Sequence, residues 1–300
     1  MDTPRLCTAM ASSQLGNDWR SRSLADQQYV EAVAITLHSF REALDPSSWY
    51  LKGSAALTAW IGPASRLPND VDLVLPIDVG RRLLASNALP LGPRGESLRV
   101  VRHEPVVFSS AAAPTVYRAL VDIRGPERLP AVPLGLLLVP EADARNDERV
   151  TLLDFPGPTG AVTVRSVTGY RFLAQKLMRY THQRSSGRIN THWWDLSDML
   201  LAVSHPAFPA LQLARLYQSV ITEIADHGVT FPTALPGPPA EWLDFWDTAT
   251  FLQRLPFGRL SEAADRLACF WDPVLKHLEE SSGNPVDTVW MPDKWGWVVL

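Results

Sequence analysis

Residues 51–75 read LKGSAALTAWIGPASRLPNDVDLVL, and this stretch decides the predicted fold. Gly53 separates a short predicted strand from a helix of small residues, and a loop then leads into a second predicted strand, Val71–Leu75. Asp70 and Asp72 stand at the start of that second strand. The ordered series of strand, glycine, helix, loop and acidic strand is more specific than any of its parts alone.

The two aspartates predict a divalent metal site. Residues i and i+2 of a strand point to the same face, so Asp70 and Asp72 should project side by side. Two neighbouring carboxylates raise each other's pKa unless a cation lies between them. Mg²⁺, or Mn²⁺ with the same oxygen ligands, suits such a pair together with the phosphates of an NTP substrate. The alternative is a solvated strand end.

Gly53 and Ser54 predict the other half of a nucleotide site. A glycine between a strand and a helix lets the backbone approach a phosphate, and a helix N-terminus offers free amide donors. The Ser54 hydroxyl can donate a further bond, and Arg66 in the following loop is predicted to bind the nucleotide. The alternative reading of Gly-Ser before a helix is a simple cap.

Asp122 is a third candidate carboxylate. It lies in an otherwise apolar predicted strand, Val116–Ile123, where an unpaired carboxylate would be costly. The alternatives are a salt bridge with Arg118 or Arg124, or an exposed strand face.

A basic stretch follows in the second half of the chain. Phe155–Trp194 contains no Asp or Glu but six Arg and Lys residues, so it predicts attraction to a triphosphate or a nucleic-acid backbone. A solvated basic helix face is the alternative. Lys176 is flanked by apolar residues at helical spacing, and Asp195 and Asp198 share one face of the next predicted helix.

These motifs carry a family resemblance. The run 51–75, Ala174-Gln175-Lys176-Leu177 and Asp195-Leu196-Ser197-Asp198 together resemble the AbiEii/AbiGii and MenT toxin-type members of the nucleotidyltransferase-fold superfamily. The resemblance implies that Lys176 binds the triphosphate and that Asp198 completes the active site. It also implies one more acidic residue on a strand near the metal pair, and Asp122 is the predicted third metal ligand. Trp194 stands where a lysine is common in the family, which leaves Asp195 with the alternative of capping or orienting its helix.

The resemblance also implies a fold and a domain organisation. The expected fold class is α+β, a mixed sheet with helices of the polymerase-β-like nucleotidyltransferase type, followed by an α-helical C-terminal domain. A polar lead-in is expected over 1–22, the α/β domain over 23–163, and a helical domain that completes the active site over 164–300. In the last domain a helix is expected to stop at Pro273, and the apolar tail 287–300 is expected to dock on the body or on a partner.

The function implied by the resemblance is Mg²⁺-dependent transfer of NMP from an NTP to an acceptor hydroxyl. The expected setting is a toxin–antitoxin system, with tRNA 3′ ends as acceptor and a cognate antitoxin as partner. A small-molecule (antibiotic-type) or protein acceptor would need the same core. A noncatalytic nucleotide-binding or interaction protein is the alternative from another class.

Composition sets the remaining bounds. The chain is 46% hydrophobic with a net charge of −4, so it can form a substantial core but is not a nucleic-acid binder by bulk charge. Two cysteines make neither a disulfide framework nor a zinc site, and a reducing compartment is the simpler inference. The N-terminus lacks a signal-peptide core, and the most apolar stretch, Leu129–Pro140, is too short to span a bilayer. A soluble cytoplasmic protein with no membrane partner is expected.

Overall fold

The structure is a computed structural model, and it describes residues 19–106, 115–157, 160–181, 192–228, 230–253, 256–280 and 287–300. The helices in chain order are α1 Leu24–Ala43, α2 Gly53–Ile61, α3 Ile77–Ser86, α4 Glu141–Ala144, α5 Gly169–Thr181, α6 Trp193–Ser204, α7 Leu213–His227, α8 Leu243–Gln253 and α9 Leu260–Glu280. The strands are β1 Tyr50–Lys52, β2 Val71–Pro76, β3 Ser97–Val106, β4 Thr115–Arg124, β5 Val132–Val139, β6 Val150–Phe155, β7 Val162–Val167, β8 Thr288–Met291 and β9 Gly296–Val299.

The chain divides into two compact units. The sheet unit comprises the described residues up to Pro63 together with Leu67–Thr168. The helical unit comprises Ala64–Arg66 and Gly169–Leu300. Arg66, although it lies in the loop before β2, therefore belongs with the helices of the second half of the chain.

The sheet unit contains a seven-stranded mixed sheet in the order β3-β4-β5-β2-β1-β7-β6. Strand β2 pairs parallel with β5, β1 pairs parallel with β7, and the other pairs are antiparallel. This sheet, combined with the helices, confirms the predicted α+β class. Strands β1 and β2 and helix α2 confirm the elements predicted from residues 51–75.

Helix α1 shows why a local signal in the sequence is sufficient to start a helix. The Ser23 side chain accepts a hydrogen bond from the backbone N–H of Asp26 at 3.2 Å, which satisfies one of the free donors at the N-terminus. Arg41 lies in the last turn, where a cation interacts favourably with the helix dipole. Val33 and Leu37 are fully buried on the face that packs on the sheet.

Strand β5 was not predicted. The sequence analysis treats Leu129–Pro140 only as an apolar stretch broken by Pro133, whereas Val132–Val139 forms a strand between β4 and β2. Buried and half-buried residues alternate along it. Its buried face carries Leu136 opposite Leu73 of β2, so burial of this leucine layer outweighs the hydrogen bond lost at the proline.

The helical unit is built on α5, α6, α7 and α9, which contact one another in pairs. Aromatic residues fill its interior, where Trp242, Trp246 and Trp271 are at most 2% exposed. The expected stop at Pro273 is wrong, since α9 continues through the proline. Val274 and Leu275 are fully buried, and this packing offsets the backbone hydrogen bond that proline cannot make.

The C-terminal tail forms a hairpin of β8 and β9 that docks on the helical unit, as one of the two expected alternatives has it. The indole N–H of Trp290 donates to the carbonyl of Val203 at 2.7 Å. The Trp290 ring meets Phe270 edge to face at 4.9 Å, and Trp297 donates to the Phe270 carbonyl at 2.9 Å. The indole N–H of Trp295 donates to the carbonyl of Arg266. Three tryptophans of the tail therefore form hydrogen bonds with three different positions on the helices.

Cys269 lies on α9, and the other cysteine of the chain, Cys7, lies outside the described residues. Within the described ranges, no helix combines the length and apolarity that a bilayer-spanning segment requires.

The docking of the tail predicts a large stability effect at Trp290. Replacing it with alanine removes a buried ring that is 3% exposed and leaves the Val203 carbonyl without its indole donor. We expect Trp290→Ala to lower the free energy of unfolding by about 3–5 kcal/mol, measured by urea denaturation. Val299→Ala, at a position 66% exposed on the same hairpin, should change it by less than about 0.5 kcal/mol. Equal effects of the two changes would show that the hairpin does not support the helices.

Candidate active site

The carboxylate of Asp72 lies between two glycines. Asp72 is half-buried on β2, opposite Lys52 of β1 on one side and Gly135 of β5 on the other. A Cβ atom added to Gly53 would overlap one carboxylate oxygen of Asp72, and a Cβ added to Gly135 would overlap the other. The space that holds this carboxylate therefore exists only because both neighbours lack side chains.

The two glycines are required for different reasons. Gly53 has φ = 69°, in the left-handed region that favours glycine, and it turns the chain from β1 directly into α2. Gly135 is not among the residues of positive φ and lies in a regular strand register, so its requirement is for space and not for conformation. Gly53 is evident from the sequence, whereas Gly135 is not, because the strand that carries it is not predicted.

The N-terminus of α2 starts at the same glycine. Its N-cap residue, Lys52, makes no side-chain cap bond, and its first turn holds no acidic residue, so the helix dipole favours an anion at this end. Ser54, the second residue of the helix, is only 6% exposed. Asp70 directly precedes β2 and is half-buried. The sheet unit thus brings together Gly53, Ser54 and Asp72, with Asp70 two residues before Asp72.

The donor set of this site fits a hard divalent cation. The two glycines leave room around the oxygens of Asp72 that a Cβ would otherwise fill. Two carboxylates, Asp70 and Asp72, are a usual protein contribution for Mg²⁺, which keeps its other positions for water and phosphate oxygens. Among the residues that the structure describes, no three His, Cys, Asp or Glu side chains converge to hold a metal by themselves.

Asp122, the predicted third ligand, lies two strands from Asp72 with β5 between them. Its carboxylate accepts a hydrogen bond from Nε of Arg124 at 2.9 Å, which is one of the alternatives that the sequence left open. A role for Asp122 in metal binding stays a prediction.

The helical unit holds a buried cluster of charges. Nζ of Lys176, on α5, donates to Asp195 at 2.8 Å and to Asp198 at 2.6 Å, both on α6. Arg66 forms a two-pronged pair with Asp198, at 2.6 Å through Nε and 2.9 Å through an Nη atom. Arg179 donates to Asp195 at 2.7 Å. Three cations and two carboxylates give this cluster a net charge of +1.

Burial makes each partner of the cluster necessary to the others. Lys176 is 3% exposed, Asp195 is 2% exposed and Asp198 is fully buried. Each ion removed from water needs an opposite charge and hydrogen bonds to offset the lost hydration. The guanidinium of Arg66 also lies 4.8 Å above the Trp194 ring, so Trp194, at the position where the family often has lysine, packs against a cation.

Two polar groups of the cluster have capacity left. An ammonium has three N–H donors, and two of those on Lys176 are used within the described residues. The second carboxylate oxygen of Asp195 is buried, and no hydrogen bond to it is found there. Asp195 lies in the first turn of α6, consistent with the predicted orienting role, but its other contacts tie it to Lys176 and Arg179.

The pKa of Asp198 follows from opposing effects. Burial raises the pKa of the carboxyl group, but the charges of Arg66 and Lys176 and their hydrogen bonds outweigh burial, so the pKa lies below its ordinary value of 3.8. Asp198 is therefore ionised at neutral pH. Of the predicted site residues, Lys176, Asp198 and Arg66 share this cluster, and their roles toward a nucleotide stay predictions.

The fit of Asp72 between the glycines predicts strong coupling between positions 72 and 135. Gly135→Ala should cost about 1–3 kcal/mol in the free energy of unfolding, because the new methyl group displaces the carboxylate. In an Asp72→Ala background the same change should be neutral or slightly stabilising, since alanine is better than glycine in a strand. A double-mutant cycle from urea unfolding measures the coupling. Additive effects would contradict the close approach.

The Asp198 cluster predicts a defined acid sensitivity. Asp198→Asn leaves Arg66 and Lys176 without their shared charge and should cost about 3–5 kcal/mol at neutral pH. Because the folded-state pKa is depressed, the stabilisation is present above 3.8 and disappears as the pH falls below it. Urea unfolding at several pH values should show this acid-dependent loss in wild type and a smaller one in the variant. Asp244→Asn, at an exposed position on α8, should keep the wild-type profile.

Comparison with known proteins gives a family and two similar structures. Two solved structures from Helicobacter pylori are similar to the chain, JHP933 and a protein provisionally assigned as a nucleotidyltransferase. Each is 16% identical with a TM-score of 0.47; the first comparison covers 86% of this chain and 95% of that chain, the second 88% and 100%. No curated protein matches the chain.

The family match extends over most of the chain. The model of the AbiEii nucleotidyl transferase toxins of type IV toxin–antitoxin systems matches residues 36–263. These residues include β1, α2 and β2 as well as α5 and α6, so both sets of motifs lie inside the match. The family resemblance predicted from those motifs is confirmed, and the chain belongs to the AbiEii family of nucleotidyl transferase toxins.

Proposed function

We propose that the protein transfers a nucleoside monophosphate from an NTP to an acceptor hydroxyl. The observation that carries this proposal is the carboxylate of Asp72, held between Gly53 and Gly135 beside the uncapped N-terminus of α2. This arrangement puts a group that binds hard cations next to donors that bind phosphate, and a metal–nucleotide complex needs both.

Asp70 and Asp72 are the groups that we propose hold Mg²⁺, with Mn²⁺ as a substitute. The bound ion would neutralise charge on the phosphates and stabilise the leaving pyrophosphate. The amides at Gly53 and the Ser54 hydroxyl would donate to the phosphates. The acceptor oxygen forms a bond to the α-phosphorus, the bond from that phosphorus to the bridging oxygen breaks, and the acceptor proton passes to solvent as pyrophosphate leaves. Positioning and charge neutralisation supply most of the rate in such a reaction.

Lys176, Asp198 and Arg66 are assigned to the same reaction from the family resemblance. Lys176 retains one N–H after its bonds to two aspartates, and we propose that it donates to the triphosphate. Asp198 would orient this lysine, since it is shared between Lys176 and Arg66. We propose that Arg66 contributes to nucleotide binding through its ion pair with Asp198.

The family setting supports a proposal for the partners. A toxin of a type IV toxin–antitoxin system implies a cognate antitoxin protein. We propose the 3′ ends of tRNA as the acceptor, with a small hydroxylated molecule or a protein side chain as the competing outcome of the test below.

The proposal predicts that Asp72→Asn abolishes transfer without unfolding the protein. Each of the four NTPs, with a radioactive α-phosphate, is incubated with the protein, Mg²⁺ and total tRNA, and label on tRNA is measured. Loss of the charge that holds the ion should lower the rate by roughly 10²–10³-fold or more. Asp78→Asn, at an exposed position in the first turn of α3, is the matched control and should keep the wild-type rate.

Three results would change the assignment. Unchanged transfer in Asp72→Asn would refute the metal site. Label found only on a small molecule would identify an antibiotic-type enzyme. Binding of NTP with no transfer to any acceptor would identify a noncatalytic nucleotide-binding protein.

A further inference from the structure

The face of the sheet that carries Asp72 also carries an arginine two strands away. In the strand register Asp72 lies opposite Gly135, and Gly135 lies opposite Arg118 of β4. Residues directly opposite each other in a sheet point to the same face. With strands about 4.8 Å apart, the Cα atoms of Arg118 and Asp72 are about 10 Å apart. Gly135, between them, contributes no side chain to this gap.

A bulge in β3 adds two more arginines to the same face. Simple alternation would put Arg99 and Arg102 on opposite faces, because they are three residues apart. The register shifts between Val100 and Arg102, so that Arg99 lies opposite Asp122 and Arg102 lies opposite Leu120. Leu120 and Asp122 are two and four residues from Arg118 on β4, so they point to the same face as Arg118. The extra residue, Val101, thus turns both arginines to the side of Asp72.

The three residues Arg99, Arg102 and Arg118 form what we call the basic strip. All three are exposed, and within the described part of the chain none of the three side chains has a hydrogen bond or an ion pair. Arg124, on the same strand, differs because it pairs with Asp122. The same face of β3 and β4 also carries Arg124 and two carboxylates, Asp122 opposite Arg99 and Glu104 opposite Arg118. Four arginines against two carboxylates leave this face with a net charge of +2 in a chain whose net charge is −4, so the positive charge is local and not a consequence of overall basicity.

The length of the strip favours a polymer of phosphates over a single small anion. Arg99 lies at the level of Asp122 and Arg118 lies four residues further along β4, a separation of about 13 Å. One phosphate group cannot bridge that distance, whereas successive phosphates of a nucleic-acid strand can. The end nearest the Asp72 row is Arg118.

We propose that the basic strip binds the phosphate backbone of a nucleic-acid acceptor and leads its reacting end toward Asp72. The inference rests on the proposed function for the position of the reacting end. The glycine of α2 flanks Asp72 from the β1 side, so an NTP held there leaves the β5 side, with Gly135 and the strip, for the acceptor. Arginine suits this task because its guanidinium group stays charged and pairs with phosphate through two donors.

The test measures binding apart from catalysis. Asp72→Asn protein is titrated into fluorescently labelled total tRNA, and anisotropy is recorded between about 50 and about 200 mM salt. The added change is Arg102→Gln with Arg118→Gln. The matched control is Arg81→Gln with Arg82→Gln, which removes the same charge from exposed positions on α3. Helix α3 packs on the other face of β5. Gly80 of α3 contacts Leu138, which lies three residues from Gly135 and therefore points to the opposite face.

Loss of two phosphate contacts should lower the slope of log affinity against log salt by about 1.8. Between about 50 and about 200 mM salt, the tRNA affinity of the Asp72→Asn parent protein should therefore fall about twelvefold more than that of the strip variant. The control pair should keep the parent slope, and a fluorescent ATP analogue should bind all three proteins equally. Circular dichroism and urea unfolding confirm that the variants fold.

Equal slopes for the strip variant and the control pair would overturn the proposal, as would absence of tRNA binding at the lowest salt. The transfer assay on the wild-type protein separates this inference from the proposed function. A lower salt slope of tRNA binding in the strip variant, together with no transfer to any acceptor by the wild-type protein, would keep the strip as a nucleic-acid surface and reject the catalytic role. If the wild-type protein transfers label to a small molecule, and the strip variant and the control pair have equal salt slopes for tRNA, the catalytic role stands and the nucleic-acid role of the strip is rejected.

Discussion

The carboxylate of Asp72 needs space in the middle of a seven-stranded sheet, and much of the sheet unit is arranged around that need. The carboxylate of Asp72 extends toward both neighbouring strands, where a Cβ atom at either of two positions would overlap it. Here the neighbours are Gly53 and Gly135, each within overlap distance of one oxygen. β1 must therefore end at Gly53, where the positive φ also begins α2, and β5 must bring a glycine to one register position.

The buried charges of the helical unit pose a second constraint of a different kind. Five charged side chains of this cluster form four ion pairs, and all of them except Arg179 are buried. Such a cluster is weak evidence for net stability, because the hydration lost on burial offsets much of the attraction. Removing one partner is nevertheless costly, since the others stay buried without their charge. The cluster therefore fixes the relative positions of α5, α6 and the segment Ala64–Arg66 to each other more than it stabilises the unit.

The sequence predicted those parts of the fold whose cause is local. Gly53 before a small-residue helix, and the apolar strand after Asp70, were recognised because their signals lie within a few residues. Strand β5 was missed because Pro133 interrupts an apolar run, and with it the need for Gly135, which depends on pairing with a strand far away in sequence. Alternation could not predict the bulge at Val101, since a bulge is visible only against a partner strand. The pair of Arg66 with Asp198 joins residues 132 positions apart, and no pattern in either segment indicates it.

The two faces of β5 have different surroundings in the sheet unit: one packs in the core, and the other lies beside Asp72. One face presents Leu134, Leu136 and Leu138 to the buried layer, and α3 approaches it so closely that Gly80 meets Leu138. The other face, with Gly135 in its middle, is only half-buried and continues into the row that contains Asp72 and Arg118. Because neighbouring residues of a strand point to opposite faces, a methyl group added at Gly135 reaches the carboxylate, whereas a change at Leu134 or Leu136 reaches the core. Substitutions on the half-buried face of β5 can thus leave the packing of its buried face unchanged.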